Sequence, residues 1–159
     1  VIEPEISIGP ESYASPTVRR LVAALAEELA RRYPGDDPNC KGGEPEPEEF
    51  EPPRGRFLVV RMEGEPVGCG GVCMRDGAGP AEVRRMYVVP QARGLGISRR
   101  ILDALEQEAR RLGRKRLRLE TGINQPEAIG LYTSSDFERI RNFGPYVGEA
   151  RSVCFEKRL

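Results

Sequence analysis

The chain has 159 residues, enough for one domain that buries roughly two-thirds of its unfolded surface. Its 25 basic and 25 acidic side chains cancel, so nothing draws the whole molecule toward nucleic acid or a membrane surface. No apolar run approaches the ~20 residues of a membrane span and the N-terminus lacks a signal-peptide pattern, which together predict a cytoplasmic protein without nucleic-acid or membrane partners.

Glu5 to Ile8 reads as a short strand. Val18, Leu21, Leu25 and Leu29 recur at helical spacing, predicting an amphipathic helix from Thr17 to Tyr33 with Pro16 before it and Pro34 ending it. Pro34 to Pro53 holds six of the fourteen prolines and seven carboxylates, too polar to build a core; it reads as a mobile surface loop or as a lid over a substrate site. Phe57 to Met62 and Pro66 to Met74 are strands joined at Glu63-Gly64-Glu65 as a hairpin, and Arg75 to Gly79 turns the chain into a third antiparallel strand. Cys69 and Cys73 lie an even number of residues apart and share a face, as buried thiols; with no histidine, a zinc site would need all four cysteines, and no metal is expected.

The third strand runs from Glu82 through Val83, Met86, Tyr87, Val88 and Val89 to Pro90, and Gly94 and Gly96 then open a helix carrying Ile97, Ile101, Leu105, Ala109 and Leu112 on one face. A strand, a glycine loop and a helix N-terminus form an anion-binding geometry, to which Arg93, Arg99 and Arg100 add positive charge. The lysine of a nucleotide-binding P-loop is missing, and Arg99 stands where a dinucleotide fold wants its third glycine. Gly113 stops the helix, and Arg116 to Thr121 follows as a strand parallel to the third. The basic run from Arg110 to Arg118 reads as a solvated helix end and strand edge.

Gln91-Ala92-Arg93-Gly94-Leu95-Gly96, after a strand ending in Val88-Val89-Pro90, resembles the acyl-CoA loop of the GNAT superfamily of N-acyltransferases. The frame from Arg93 to Ser98 repeats the pattern except at Ser98. A second stretch, Asn124 to Phe137 with Ala128 and Leu131-Tyr132, is similar to the GNAT pattern N-x-x-A-x-x-L-Y-x-x-x-G-F. Its asparagine falls one residue early, so Gln125 competes for that role, and Asp136 replaces the glycine at a helix stop.

The resemblance implies an α/β fold, a single domain over residues 1–159: a central, mostly antiparallel mixed sheet flanked by helices and splayed near Tyr87 and Val88, with acetyl-CoA in the split. The cofactor site it implies comprises Tyr87, Val88, Val89, Arg93, Gly94, Leu95, Gly96, Ile97, Ser98, Arg99, Asn124 and Tyr132. Amine attack on the thioester needs a base, oxyanion donors and an acid for the departing thiolate. Tyr132 is the expected acid, against a core tyrosine as the alternative. Glu82 and Glu120 are the candidate bases, against surface carboxylates paired with arginines.

Phe137 to Asn142 and Ser152 to Arg158 close the chain as strands. Between them Phe143-Gly144-Pro145-Tyr146 offers two exposed aromatics, expected either as an acceptor wall or as a core or homodimer contact. Asp36, Asp37, Glu44, Glu46, Glu48, Glu49 and Glu51 against Lys41 predict a field that attracts a cationic amine acceptor. Two functions follow: an acetyl-CoA-dependent N-acetyltransferase, or a non-catalytic acyl-CoA-binding sensor of the same fold.

Overall fold

The computed structural model describes residues 2–36, 43–75 and 77–159; Asp37, Cys40, Lys41 and Asp76 lie outside the described residues. Strands β1 (Ile6–Pro10), β2 (Gly55–Met62), β3 (Glu65–Cys73), β4 (Ala81–Val88), β5 (Arg116–Gly122), β6 (Glu138–Ile140) and β7 (Ser152–Arg158) form one sheet in the order β1-β2-β3-β4-β5-β7-β6. Helices α1 (Pro16–Arg32), α2 (Ile97–Arg111) and α3 (Pro126–Ser134) flank it. Every neighbouring pair is antiparallel except β4 and β5, which the α2 crossover makes parallel.

Local chemistry sets these boundaries. Met62 pairs with Glu65 across Glu63 and Gly64, whose φ values of 50° and 80° fit the two-residue hairpin turn that matches strand twist. Ser15 caps α1 by accepting from the Val18 amide at 3.1 Å, and Pro16 takes the first helical position, where its missing N–H costs nothing. α2 ends in a Schellman arrangement: Gly113 at φ 78° donates to the Arg110 carbonyl, and Arg114 donates to Ala109 at 3.0 Å.

Alternate residues of the strands face opposite layers. Phe57, Val59, Cys69 and Cys73 pack with Val18, Leu21, Val22 and Leu25 of α1, whereas Leu58, Val60, Val72, Leu117 and Leu119 pack with Ile97, Ile101, Leu105 and Ala109 of α2. β3 is thin enough to serve both sides. A Cβ on Gly70 would stand 3.0 Å from Ile101, and one on Gly71 would stand 2.6 Å from the rings of Phe50 and Phe57. Burial pushes the Cys69 thiol up to about 12 and that of Cys73 to about 11, so both are inert packing groups.

Two expectations are corrected. Phe50, in the 3₁₀ turn Pro47–Phe50, is 2 % exposed, with its ring centroid 4.8 Å from that of Tyr13 and 5.1 Å from that of Phe57, so the proline-rich segment does contribute to the core. A lone aromatic among carboxylates carries no period by which to find it. β6 is also shorter than the expected run, pairing over three residues only. In the basic run Arg110, Arg111, Lys115 and Arg116 are exposed, as expected of a solvated helix end and strand edge, while Arg114 donates to the Gly77 and Gly79 carbonyls and Arg118 lies over the Phe143 ring.

Asp136 adopts φ 68°, the left-handed conformation expected of the helix stop where the resembled pattern has glycine, while the Phe137 amide turns back to the Tyr132 carbonyl. Asp136→Gly should therefore stabilise the fold by up to about 1 kcal/mol, read as a higher Tm. A lower Tm would mean that Asp136 contributes more through its side chain than it loses in backbone strain.

Candidate active site

β4 and β5 are joined only where Ala81 meets Leu117 and Glu82 meets Arg118. The strands then part, and a cleft of about 740 Å³ opens between them. The opening starts at Val83 and Leu119, several residues before Tyr87 and Val88. Within the opening β4 carries a bulge: Gly71 faces Arg84 and Cys69 faces Tyr87, so Arg85 and Met86 together oppose Gly70. Arg85 takes φ 58°, and the extra residue bends and twists the strand.

One end of the cleft is built for an anion. The chain leaves β4 through the turn Pro90–Ala92 and reaches Gly94 and Gly96, at φ 82° and 78°. Gly96 begins α2 with no side chain capping it, so first-turn amides stay available to a ligand in the cleft that Gly94, Gly96, Ile97, Ser98 and Arg99 line. Arg93 holds the loop, donating to the Val88 carbonyl at 2.9 Å and to Glu28 at 2.8 Å. Among the described residues Arg99 bonds the neutral hydroxyls of Ser134 and Ser135, which leaves its charge for an anion.

The middle of the cleft carries the acid–base groups. Tyr132 of α3 lines it from among the rings of Phe137 and Phe155, and burial, then the nearby Glu120 charge, raises its pKa above the ordinary phenol value. Glu120, near the end of β5, is half-buried and accepts from the Ser152 hydroxyl at 2.7 Å. Tyr146 lines the same cleft at 4 % exposure, and its phenol is also raised, first by burial.

The cleft thus brings together Tyr87, Val88, Arg93, Gly94, Gly96, Ile97, Ser98, Arg99, Glu120, Tyr132 and Tyr146. Val89, Leu95, Asn124, Phe143 and Glu82 are not among its lining residues. Glu82 is 1 % exposed and lies between Arg75 at 3.3 Å and Arg84 at 3.7 Å, where β4 and β5 are still paired, as a buried ion-pair carboxylate. The Asn124 side-chain amide donates to the Arg32 carbonyl at 3.0 Å; Gln125 is the residue that lines the cleft. Phe143 is half-buried edge-on against Tyr146, so the expected pair of exposed aromatics is an internal contact, and Tyr146→Ala would remove core packing as well as cleft wall. Sequence reasoning missed Tyr33, Gly122 and Gly130. Gly130 alone gave a signal, as a glycine inside a helix.

Residues 22–137 match the model of the Acetyltransferase (GNAT) family. The chain is 37 % identical to an IAA acetyltransferase of Azospirillum brasilense over 98 % of its own length and 99 % of the relative's. The chain belongs to the acetyltransferase (GNAT) family. The fold agrees. A crystal structure from Klebsiella pneumoniae, classed as an acyl-CoA N-acyltransferase, superposes with a TM-score of 0.80 at 32 % identity, covering 97 % of each chain. A GNAT family acetyltransferase from Elizabethkingia anophelis, solved with acetyl-CoA bound, gives 0.68 at 16 % identity, over 97 % of this chain and 98 % of that one. This GNAT chain is an acetyl-CoA-dependent N-acetyltransferase, with acetyl-CoA as its co-substrate. Among the described residues no helix is long and apolar enough to cross a membrane.

Proposed function

We propose that this acetyltransferase moves the acetyl group of acetyl-CoA directly to a primary amine of a small molecule or protein, with Glu120 as base and Tyr132 as hydrogen-bond donor to the leaving sulfur. The observation that carries this reading is that Glu120 and Tyr132 line one cleft with the anion-binding loop. The diphosphate of the cofactor would lie against the amides from Gly94 to Arg99, and the pantetheine arm would run between β4 and β5 past Ala128 and Gly130.

The amine nitrogen forms a bond to the thioester carbon while Glu120, directly or through water, takes its proton. The bulge in β4 frees backbone from the sheet ladder beside the cleft, and such amides would suit the oxyanion. Collapse breaks the C–S bond and the sulfur leaves toward Tyr132. Because burial holds this phenol above the thiol in pKa, Tyr132 stabilises the departing sulfur by hydrogen bonding. CoA finally carries the proton that the amine lost.

The acidic segment supports a cationic acceptor less than its composition suggests. Glu44 is tied to Tyr13, Arg19 and Arg85, and Glu46 and Glu49 cap one another. Of the described carboxylates in that segment only Asp36 lines the cleft, where it pairs with Arg151. The acceptor ammonium would meet Glu120 instead.

The test is free CoA release over a panel of α-amino acids, aliphatic polyamines, aromatic amines and a lysine peptide. Turnover of at least one class is expected. Tight acetyl-CoA binding with no release across the panel would favour the non-catalytic sensor. Equal rates for cationic and anionic amines would remove charge as the basis of acceptor choice.

A further inference from the structure

We propose that Tyr33 is a positioning residue whose hydroxyl, seated in a notch at Gly122, fixes the separation of the two halves of the split sheet and so places Glu120 and α3 against the thioester. The inference rests on the acid–base assignment above and names a residue on neither strand that forms the split.

α1 packs on the β2–β4 side, through Phe57, Val59, Cys69 and Tyr87. Its last turn nevertheless bonds to the turn that leads from β5 into α3. The Asn124 backbone amide donates to the Tyr33 hydroxyl oxygen at 3.1 Å, and that hydroxyl donates to Gln125 Oε1 at 3.2 Å. The same Gln125 oxygen accepts from the Gly122 amide at 3.1 Å. Outside this pin, Arg32 donates to the Asn124 carbonyl and pairs with Glu127, and Asn124 donates back to the Arg32 carbonyl.

Gly122 is glycine for want of space, not for its backbone angles. A Cβ there would lie 1.7 Å from the Tyr33 hydroxyl oxygen and 2.6 Å from its ring carbon Cζ, whereas no positive φ occurs at this position. The notch and the phenol fit each other. They sit two residues past Glu120 and beside Gln125, the residue from which α3 starts. Since β4 and β5 share only two residue pairs, this pin is a second tie across the opening, at its far end.

The experiment compares native protein with Tyr33→Phe, Gly122→Ala, Tyr33→Leu and the double variant Tyr33→Leu/Gly122→Ala. It uses the panel amine turned over fastest, calorimetric titration of acetyl-CoA, and hydrogen exchange at the Asn124 amide with CoA bound. Tyr33→Phe should lower kcat by about tenfold while the acetyl-CoA Kd moves less than about threefold, because the Gly94 to Arg99 loop is untouched. Exchange at Asn124 should quicken. Gly122→Ala should do more harm with Tyr33 in place than in the Tyr33→Leu background, since only the long side chain reaches the new methyl. Should Gly122→Ala fail to fold, Tyr33→Phe alone decides. Unchanged kcat with a lowered Tm, or effects of the two substitutions that simply multiply, would overturn the assignment. If no amine is turned over, the reading of the previous section falls, while the exchange at Asn124 still decides the pin.

Discussion

Tyr132→Phe should lower kcat by about a hundredfold, the loss of one hydrogen-bond donor held ready for charge that develops in the transition state. The ring survives the change, and with it the contacts to Phe137 and Phe155 at 5.8 and 5.9 Å, so stability should move little. The cofactor loop is distant in sequence and unaltered, so the acetyl-CoA Kd should stay put. This pattern, a loss in kcat without a loss in binding, marks an interaction made only as the C–S bond breaks. Full activity in the variant would return Tyr132 to the role of a packed core tyrosine. Glu120→Gln is the matching control. It keeps an acceptor for the Ser152 hydroxyl but loses the basic carboxylate, and a comparable fall in rate is expected.

Gly130→Leu should weaken acetyl-CoA binding by at least about a hundredfold while leaving the fold intact or slightly firmer. Gly130 lies inside α3, lines the cleft, and a Cβ built on it meets nothing within 4 Å. A leucine therefore gains helix propensity, about 1 kcal/mol relative to glycine, and projects into the space where the pantetheine arm would run. Gly96→Val is a poorer probe of the same site. At φ 78° a β-branched residue is strained whatever the ligand does, so lost binding there could reflect a distorted loop. Calorimetry on Gly130→Leu with a parallel thermal melt separates the two causes. Native affinity in a well-folded variant would show that the cofactor passes elsewhere.

The features legible in the sequence are those with local causes. Gly94 and Gly96 at positive φ, the helix stop at Gly113 and the left-handed Asp136 each follow from backbone chemistry within a few residues. The antiparallel run β2-β3-β4 and the parallel pairing of β4 with β5 follow from short connections and the α2 crossover. The features the sequence does not show are those whose environment is set at long range. Glu82 and Glu120 look alike in sequence, one on each parallel strand. One lies where the strands are still joined and is enclosed by Arg75 and Arg84, and the other lies beyond the parting, in the cleft. The bulge at Arg85 and Met86 depends on an arginine entering an unfavourable conformation, which no propensity announces. Asn124 matched a motif by type but faces α1, because Tyr33 and Arg32 claim its amides.

Tyr33, Tyr87, Tyr132 and Tyr146 all line the cavity, burial holds each of them above the ordinary phenol pKa, and the chain contains no histidine to titrate near neutrality. The proton whose loss gates attack in the alkaline range is then the acceptor's own. A rate that climbs with a midpoint near 8 would point to an α-amino group, and one still climbing toward about 10 to an alkyl amine of lysine type. The pH profile of the enzyme becomes a titration of its unknown substrate, and narrows the acceptor by its basicity before any product is identified.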